Sequence, residues 1–151
     1  MSVLTKWKGR LTKHFTLEEY TVGLKKGTAY VTQESYLHAM MLEEFRVWLE
    51  RPMIVTSWFR TKEKNVEVGG ISSSSHLRGT ATDWHTDITI TEARFIKFAK
   101  KWKKICQKHG VVGEAGLYQW GIHFGSSITY SKAFANWDSR SGKQKNNAFN
   151  I

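Results

Sequence analysis

Phe95, Phe98, Ala99, Trp102, Ile105 and Cys106 recur at the three-and-four spacing of one helical stripe, behind Thr89-Ile90-Thr91-Glu92, which has the pattern of a capping box. A helix with so broad an apolar face must lay it on another element, so this stretch dictates a layered domain. The predicted helix runs to about His109, with Gly110 as the residue past its end. Its other side carries Lys97, Lys100, Lys101, Lys103, Lys104 and Lys108.

A second stripe, Leu37, Met41, Phe45 and Trp48, predicts a helix over residues 32–50 that stops at Pro52, the only proline. Thr16 and Glu19 form another capping-box pattern for a short helix ended by Gly23 and Gly27. The β-branched and aromatic run 53–59 predicts a strand, and 61–68 one or two helical turns ending at Gly69-Gly70. A serine-rich loop, 71–75, delivers His76. Residues 81–88 predict a strand with Asp83, His85 and Asp87 on one face. Residues 111–124 read as a strand pair interrupted at Gly113 and Gly116, followed by an irregular polar tail anchored by Phe134 and Trp137. The expected architecture is one α+β domain over 1–151, with helices packed on one side of a small sheet and with 1–13 and 139–151 mobile.

Length and composition agree with a globular domain. At 151 residues, 40% hydrophobic and 13% aromatic, the chain is neither disordered nor dependent on covalent staples. A single cysteine, Cys106, leaves no intramolecular disulfide and no cysteine-rich zinc site, so any metal must be held by histidine and carboxylate. No apolar run reaches membrane-spanning length. Lys6, Lys8 and Arg10 are not followed by an apolar segment, so no signal peptide is expected and synthesis is expected in the cytoplasm. The net charge of +10 calls for an anionic partner. Without a nucleic-acid-binding motif, charge alone supports a nucleic-acid reading, which ranks last.

The chemistry concentrates in Ser74-Ser75-His76-Leu77-Arg78-Gly79-Thr80-Ala81-Thr82-Asp83. His76 and Asp83 are two candidate ligands of a zinc site, and His123, in Trp120-Gly121-Ile122-His123, is a third. The small residues between the first two let a loop turn tightly into a strand beside an ion. Taken alone, a histidine and an aspartate seven positions apart occur in many proteins.

The full pattern is more specific. It resembles the zinc D-alanyl-D-alanine metallopeptidases, which cut peptidoglycan stem peptides and include carboxypeptidases, dipeptidases and phage endolysins. His14-Phe15-Thr16-Leu17 is similar to the lead-in segment of short members. Ser57-Trp58-Phe59-Arg60, with Asn65 and Gly69-Gly70, is similar to the arginine motif ahead of the metal histidine. The resemblance covers roughly residues 14–137 and implies a Hedgehog/D-Ala-D-Ala peptidase-like fold.

It also implies roles. His76, Asp83 and His123 would hold Zn²⁺, Arg60 would polarise the scissile carbonyl, and Ser74 would bind substrate or brace the metal shell. His85 is expected in the cleft or beside the ligands, Asp87 as an orienting carboxylate, and Trp84 and Trp120 as cleft walls. Where relatives place the general base, three positions before the second histidine, this chain has Trp120, and where they often have aspartate it has Gly125. Glu114 is the nearest alternative acid. The implied activity is a zinc-dependent peptidase of endolysin or wall-remodelling type, a monomer acting on stem peptides at the anionic bacterial cell wall after release or delivery. D-Ala-D-Ala carboxypeptidase and L-Ala-D-Glu endopeptidase action both fit. The alternative is a zinc-binding module that has lost its base.

Overall fold

The computed structural model describes the backbone of residues 2–4 and, in full, residues 8–24, 29–127 and 133–151. Lys6 and Gly27, named above, lie outside the described residues, as does part of the segment 1–13.

Strands β1 (Ser2–Leu4) and β2 (Ala29–Val31) form a small antiparallel ribbon. Between them lies helix α1 (Leu17–Tyr20), opened by the expected capping box: Thr16 Oγ1 accepts from the Glu19 N–H while the Glu19 carboxylate accepts from the Thr16 N–H. The two residues just before Thr16 pack against the rest of the domain. The His14 backbone N–H donates to Glu43, and Phe15 is buried with its ring edge-on to Trp58.

Helix α2 (Gln33–Leu49) starts at Thr32, paired with Ser35 in a box that uses serine in place of an acid. Its stripe sits slightly rotated from expectation. Met41 and Phe45 are buried, but Leu37 and Trp48 are only partly so, and Ser35, His38, Ala39 and Leu42 complete the inner face.

A six-stranded sheet follows, ordered β3-β4-β6-β5-β7-β8. Its members are β3 (Ile54–Ser57), β4 (Ala81–His85), β5 (Val112–Leu117), β6 (Ile122–Ser127), β7 (Ala135–Asp138) and β8 (Lys145–Asn146). All pairings are antiparallel except β5 with β7. Helix α3 (Lys62–Glu67) and a 3₁₀ turn, Ser75–Arg78, connect β3 to β4. The turn replaces the expected loop around His76.

Helix α4 (Glu92–Lys108) buries the six stripe residues named at the outset, Cys106 among them. Its cap differs from the sequence expectation: Thr91, not Thr89, accepts from the Arg94 N–H, so the helix begins two residues later and the Glu92 carboxylate turns to Arg140. Trp102 stacks on Phe124 at 4.8 Å and donates Nε1–H to the Gly125 carbonyl, while Phe45 meets Trp84 and Phe124. One face of the sheet is thus filled by α2 and α4, and Trp84 belongs to that core rather than to a cleft wall.

Two further expectations are corrected. Gly113 and Gly116 do not interrupt a strand; both lie within β5, and the chain reverses at residues 118–121. The tail beyond Gly125 carries more regular structure than expected among its described residues: β6 continues to Ser127, β7 and β8 extend the sheet, and the Asn136 amide bridges the backbone N–H and carbonyl of buried Phe149.

Candidate metal centre

Strand alternation and register build the site on the face of the sheet opposite α2 and α4. Asp83 on β4 lies directly across from His123 on β6, which lies across from Gly116 on β5; two residues along, Gly125 lies across from Glu114. Since alternate residues share a face, Asp83, His123 and Glu114 converge.

His76 arrives from the 3₁₀ turn and is fixed by the segment after β3. Its Nδ1–H donates to the Trp58 carbonyl at 2.7 Å, and its own carbonyl accepts from the Arg60 N–H at 2.9 Å. This fixes the ring orientation and leaves Nε2 facing Asp83 Oδ2 at 3.3 Å. Gly79 closes the turn at φ +68, where a Cβ would stand 2.2 Å from the Tyr20 hydroxyl, so backbone and packing both require glycine.

His123 is pinned between carboxylates, Nδ1 2.8 Å from Asp83 Oδ1 and Nε2 3.0 Å from Glu114 Oε1. Burial opposes a charge on this ring, yet its hydrogen bonds to the Asp83 and Glu114 carboxylates prevail and raise its pKa to about 9. Burial likewise works against ionised Asp83 and Glu114, and both are held below the usual carboxylate range, chiefly by hydrogen bonding to His123. The two carboxylates converge on this one ring, so the pocket favours positive charge. Arg60 adds to the arrangement: Nη2 reaches Asp83 Oδ2 at 3.3 Å, while Nε donates to Ser57 and Nη1 to Asn65.

The donor set fits zinc. One nitrogen or carboxylate oxygen each from His76, Asp83 and His123 lie within 4.8 Å of one another, and two imidazoles plus a carboxylate, with solvent access left over, is the ligand chemistry of a catalytic zinc site. The sequence model of the family described as Peptidase M15 matches residues 13–124. The chain belongs to the peptidase M15 family. No curated protein and no solved structure matches it. Membership makes the chain a metallopeptidase of a zinc-dependent family, and the fold agrees with it. No helix among the described residues is long and apolar enough to cross a membrane.

The centre opens into a cleft of about 690 Å³ lined by Arg60, Ser74, Arg78, Glu114, Tyr118 and Trp120, among others. Ser74 also caps the 3₁₀ turn, its Oγ accepting from the His76 N–H at 3.3 Å. Trp120 stacks on Tyr118 with centroids 4.6 Å apart. His85 does not line the cleft: it ends β4 opposite Ile54, beyond the ligand cluster. Nor does Asp87 orient a ligand. β4 ends before it, so the expected alternation lapses, and Asp87 pairs with Arg51 at the surface.

Sequence reasoning missed three contributors. Trp137 packs against the His123 ring at 5.3 Å and donates to the Tyr118 hydroxyl. His38, fully buried behind the sheet, touches Ser126 Oγ at 2.8 Å and Thr82 Oγ1 at 3.0 Å. Arg78, two residues past a ligand, projects into the cleft. Of these only Arg78 had a signal, its place inside the metal motif.

Proposed function

We propose that the protein is a zinc-dependent peptidase cleaving peptidoglycan stem peptides, in cell-wall lysis or remodelling of the phage-endolysin type. The observation that carries this reading is the convergence of His76, Asp83 and His123 at the floor of a cleft that also holds an arginine and a second carboxylate. His76, Asp83 and His123 hold Zn²⁺, which when bound supplies Lewis acidity and activates water near neutral pH. Arg60, a fixed cation beside the centre, polarises the scissile carbonyl. Glu114 is the one carboxylate besides Asp83 among the described cleft residues, and it takes the proton of the attacking water and passes it to the leaving amine. Ser74 and Trp120 line the substrate's path.

A second reading has its own observation. Glu114 Oε1 is already occupied by His123 Nε2, and Trp120 sits where relatives place an acid. A zinc-holding module without turnover would bind the wall and leave it intact.

Metal analysis of the purified protein is expected to return about one zinc per chain, lost in His76→Ala. Soluble fragments released from purified peptidoglycan, and stopped by a chelator, support the enzyme. Stoichiometric zinc with no release selects the module, and a protein that takes up no zinc sinks both.

A further inference from the structure

The cleft holds two arginines in different situations. Arg60 is held by three partners, Ser57, Asn65 and Asp83, and keeps two N–H groups for a substrate carbonyl. Arg78 is exposed, lines the same cleft, and has no hydrogen bond or ion pair among the described residues. It is carried by the 3₁₀ turn that also supplies His76, and that turn is locked by Gly79 and by the Trp58 indole donating to the Gly79 carbonyl at 2.9 Å. A guanidinium with no hydrogen bond or ion pair among the described residues, on a rigid support in the same cleft as the candidate metal ligands and within electrostatic reach of Glu114, is placed to receive an anion. Guanidinium prefers a carboxylate because two parallel N–H groups match its two oxygens.

We propose that Arg78 binds the free α-carboxylate of the substrate residue that supplies the leaving amine. This rests on the stem-peptide reading and names the substrate class more closely. Both candidate bonds share the feature. In D-Ala-D-Ala the leaving residue ends in its α-carboxylate; in L-Ala-γ-D-Glu the chain continues through the γ-carboxyl, so the α-carboxylate is free. Either substrate places an anion one residue from the scissile carbonyl, on the leaving-group side. Amidating that carboxylate, as in isoglutamine, removes the charge and one acceptor while keeping the shape.

The test is calorimetric binding to the zinc-loaded protein, with uncleavable fragments in which the scissile amide is reduced to CH₂–NH. Fragments of the L-Ala-γ-D-Glu and D-Ala-D-Ala types are each prepared as free acid and as α-amide. Wild type is expected to bind the acid about 10- to 100-fold more tightly than the amide in whichever pair it accepts. Arg78→Ala should bring acid and amide to parity at unchanged zinc content, and Arg78→Lys should keep part of the preference. Equal binding of acid and amide by wild type overturns the proposal, as does a preference that survives in Arg78→Ala. Binding of neither pair overturns it too. Because no turnover is needed, a protein that releases nothing from peptidoglycan but still prefers the acid would defeat the peptidase reading while leaving the role of Arg78 intact.

Discussion

Glu114 and Gly125 form one unit. A Cβ at position 125 would stand 2.3 Å from Glu114 Oε1, so the glycine is the space that lets a β5 carboxylate reach His123 on β6. A carboxylate accepting from a ligating histidine orients its ring and raises its basicity, and losing one usually costs 10- to 100-fold in metal affinity. Glu114→Gln is therefore expected to weaken zinc binding by about that range in a competition titration with a chromophoric chelator. Gly125→Ala should weaken it in the same direction while leaving unfolding stability within about 1 kcal/mol, since the atoms displaced belong to a flexible side chain. Full peptidase activity in Glu114→Gln would show that the proton passes through another group.

His38 gives a second residue-level expectation. Burial, reinforced by the nearby His123 and His76, pushes its pKa down to about 3, so it stays neutral between two hydroxyls that supply one donor and one acceptor. The unfolded chain takes up a proton here below about pH 6.5 and the folded chain does not, so stability falls as pH drops from 6.5 towards 3, with a slope approaching about 1.4 kcal/mol per pH unit. Denaturant midpoints followed across that window in wild type and His38→Gln should differ in slope, the variant being flatter.

At the scale of elements, α4 shows where pattern and geometry part. Its apolar stripe was legible because the spacing of Phe95 to Cys106 admits only one buried face. Its start was ambiguous because Thr89 and Thr91 are both good caps; in the fold Thr91 caps the helix and the Glu92 carboxylate pairs with Arg140, just past β7. Thr91→Ala should cost about 1 kcal/mol in thermal or denaturant unfolding. Thr89→Ala should cost less than about 0.5 kcal/mol. The lysine face of the same helix is less free than its composition suggests. Lys97 and Lys101 lie over Trp48, Lys103 donates to the Ile151 carbonyl, and Lys108 pairs with Glu44, which leaves Lys100 and Lys104 without a partner among the described residues. Any attraction of this face to an anionic wall is long-range and weakens with salt.

For the whole molecule, the C-terminal segment closes the fold. Phe149 meets Phe95 at 4.8 Å, and Asn136 on β7 holds the backbone of Phe149 from both sides. That anchorage keeps β7 beside β5 and so keeps Trp137 against His123. Phe149→Ala is expected to cost about 3 kcal/mol in denaturant unfolding through the cavity left on α4. It should also loosen the far wall of the cleft, read as a lower zinc affinity than a surface control of equal stability would show.

The sequence by itself determined the helices, the core stripe and the local pairing of His76 with Asp83, because helical periodicity, capping chemistry and a dense local motif are all written within about twenty residues of chain. His76 and Asp83 needed no fold to be paired. Only the tertiary structure decided the rest. Whether His123 meets Asp83, whether Glu114 reaches a ligand past Trp120 and Gly125, and whether His85 faces the cleft all depend on strand register, and one residue of slip would send every one of these side chains to the other face. That register is set by long-range packing of Phe124, Trp84 and Leu117 under α2 and α4, which no local stretch of the chain encodes.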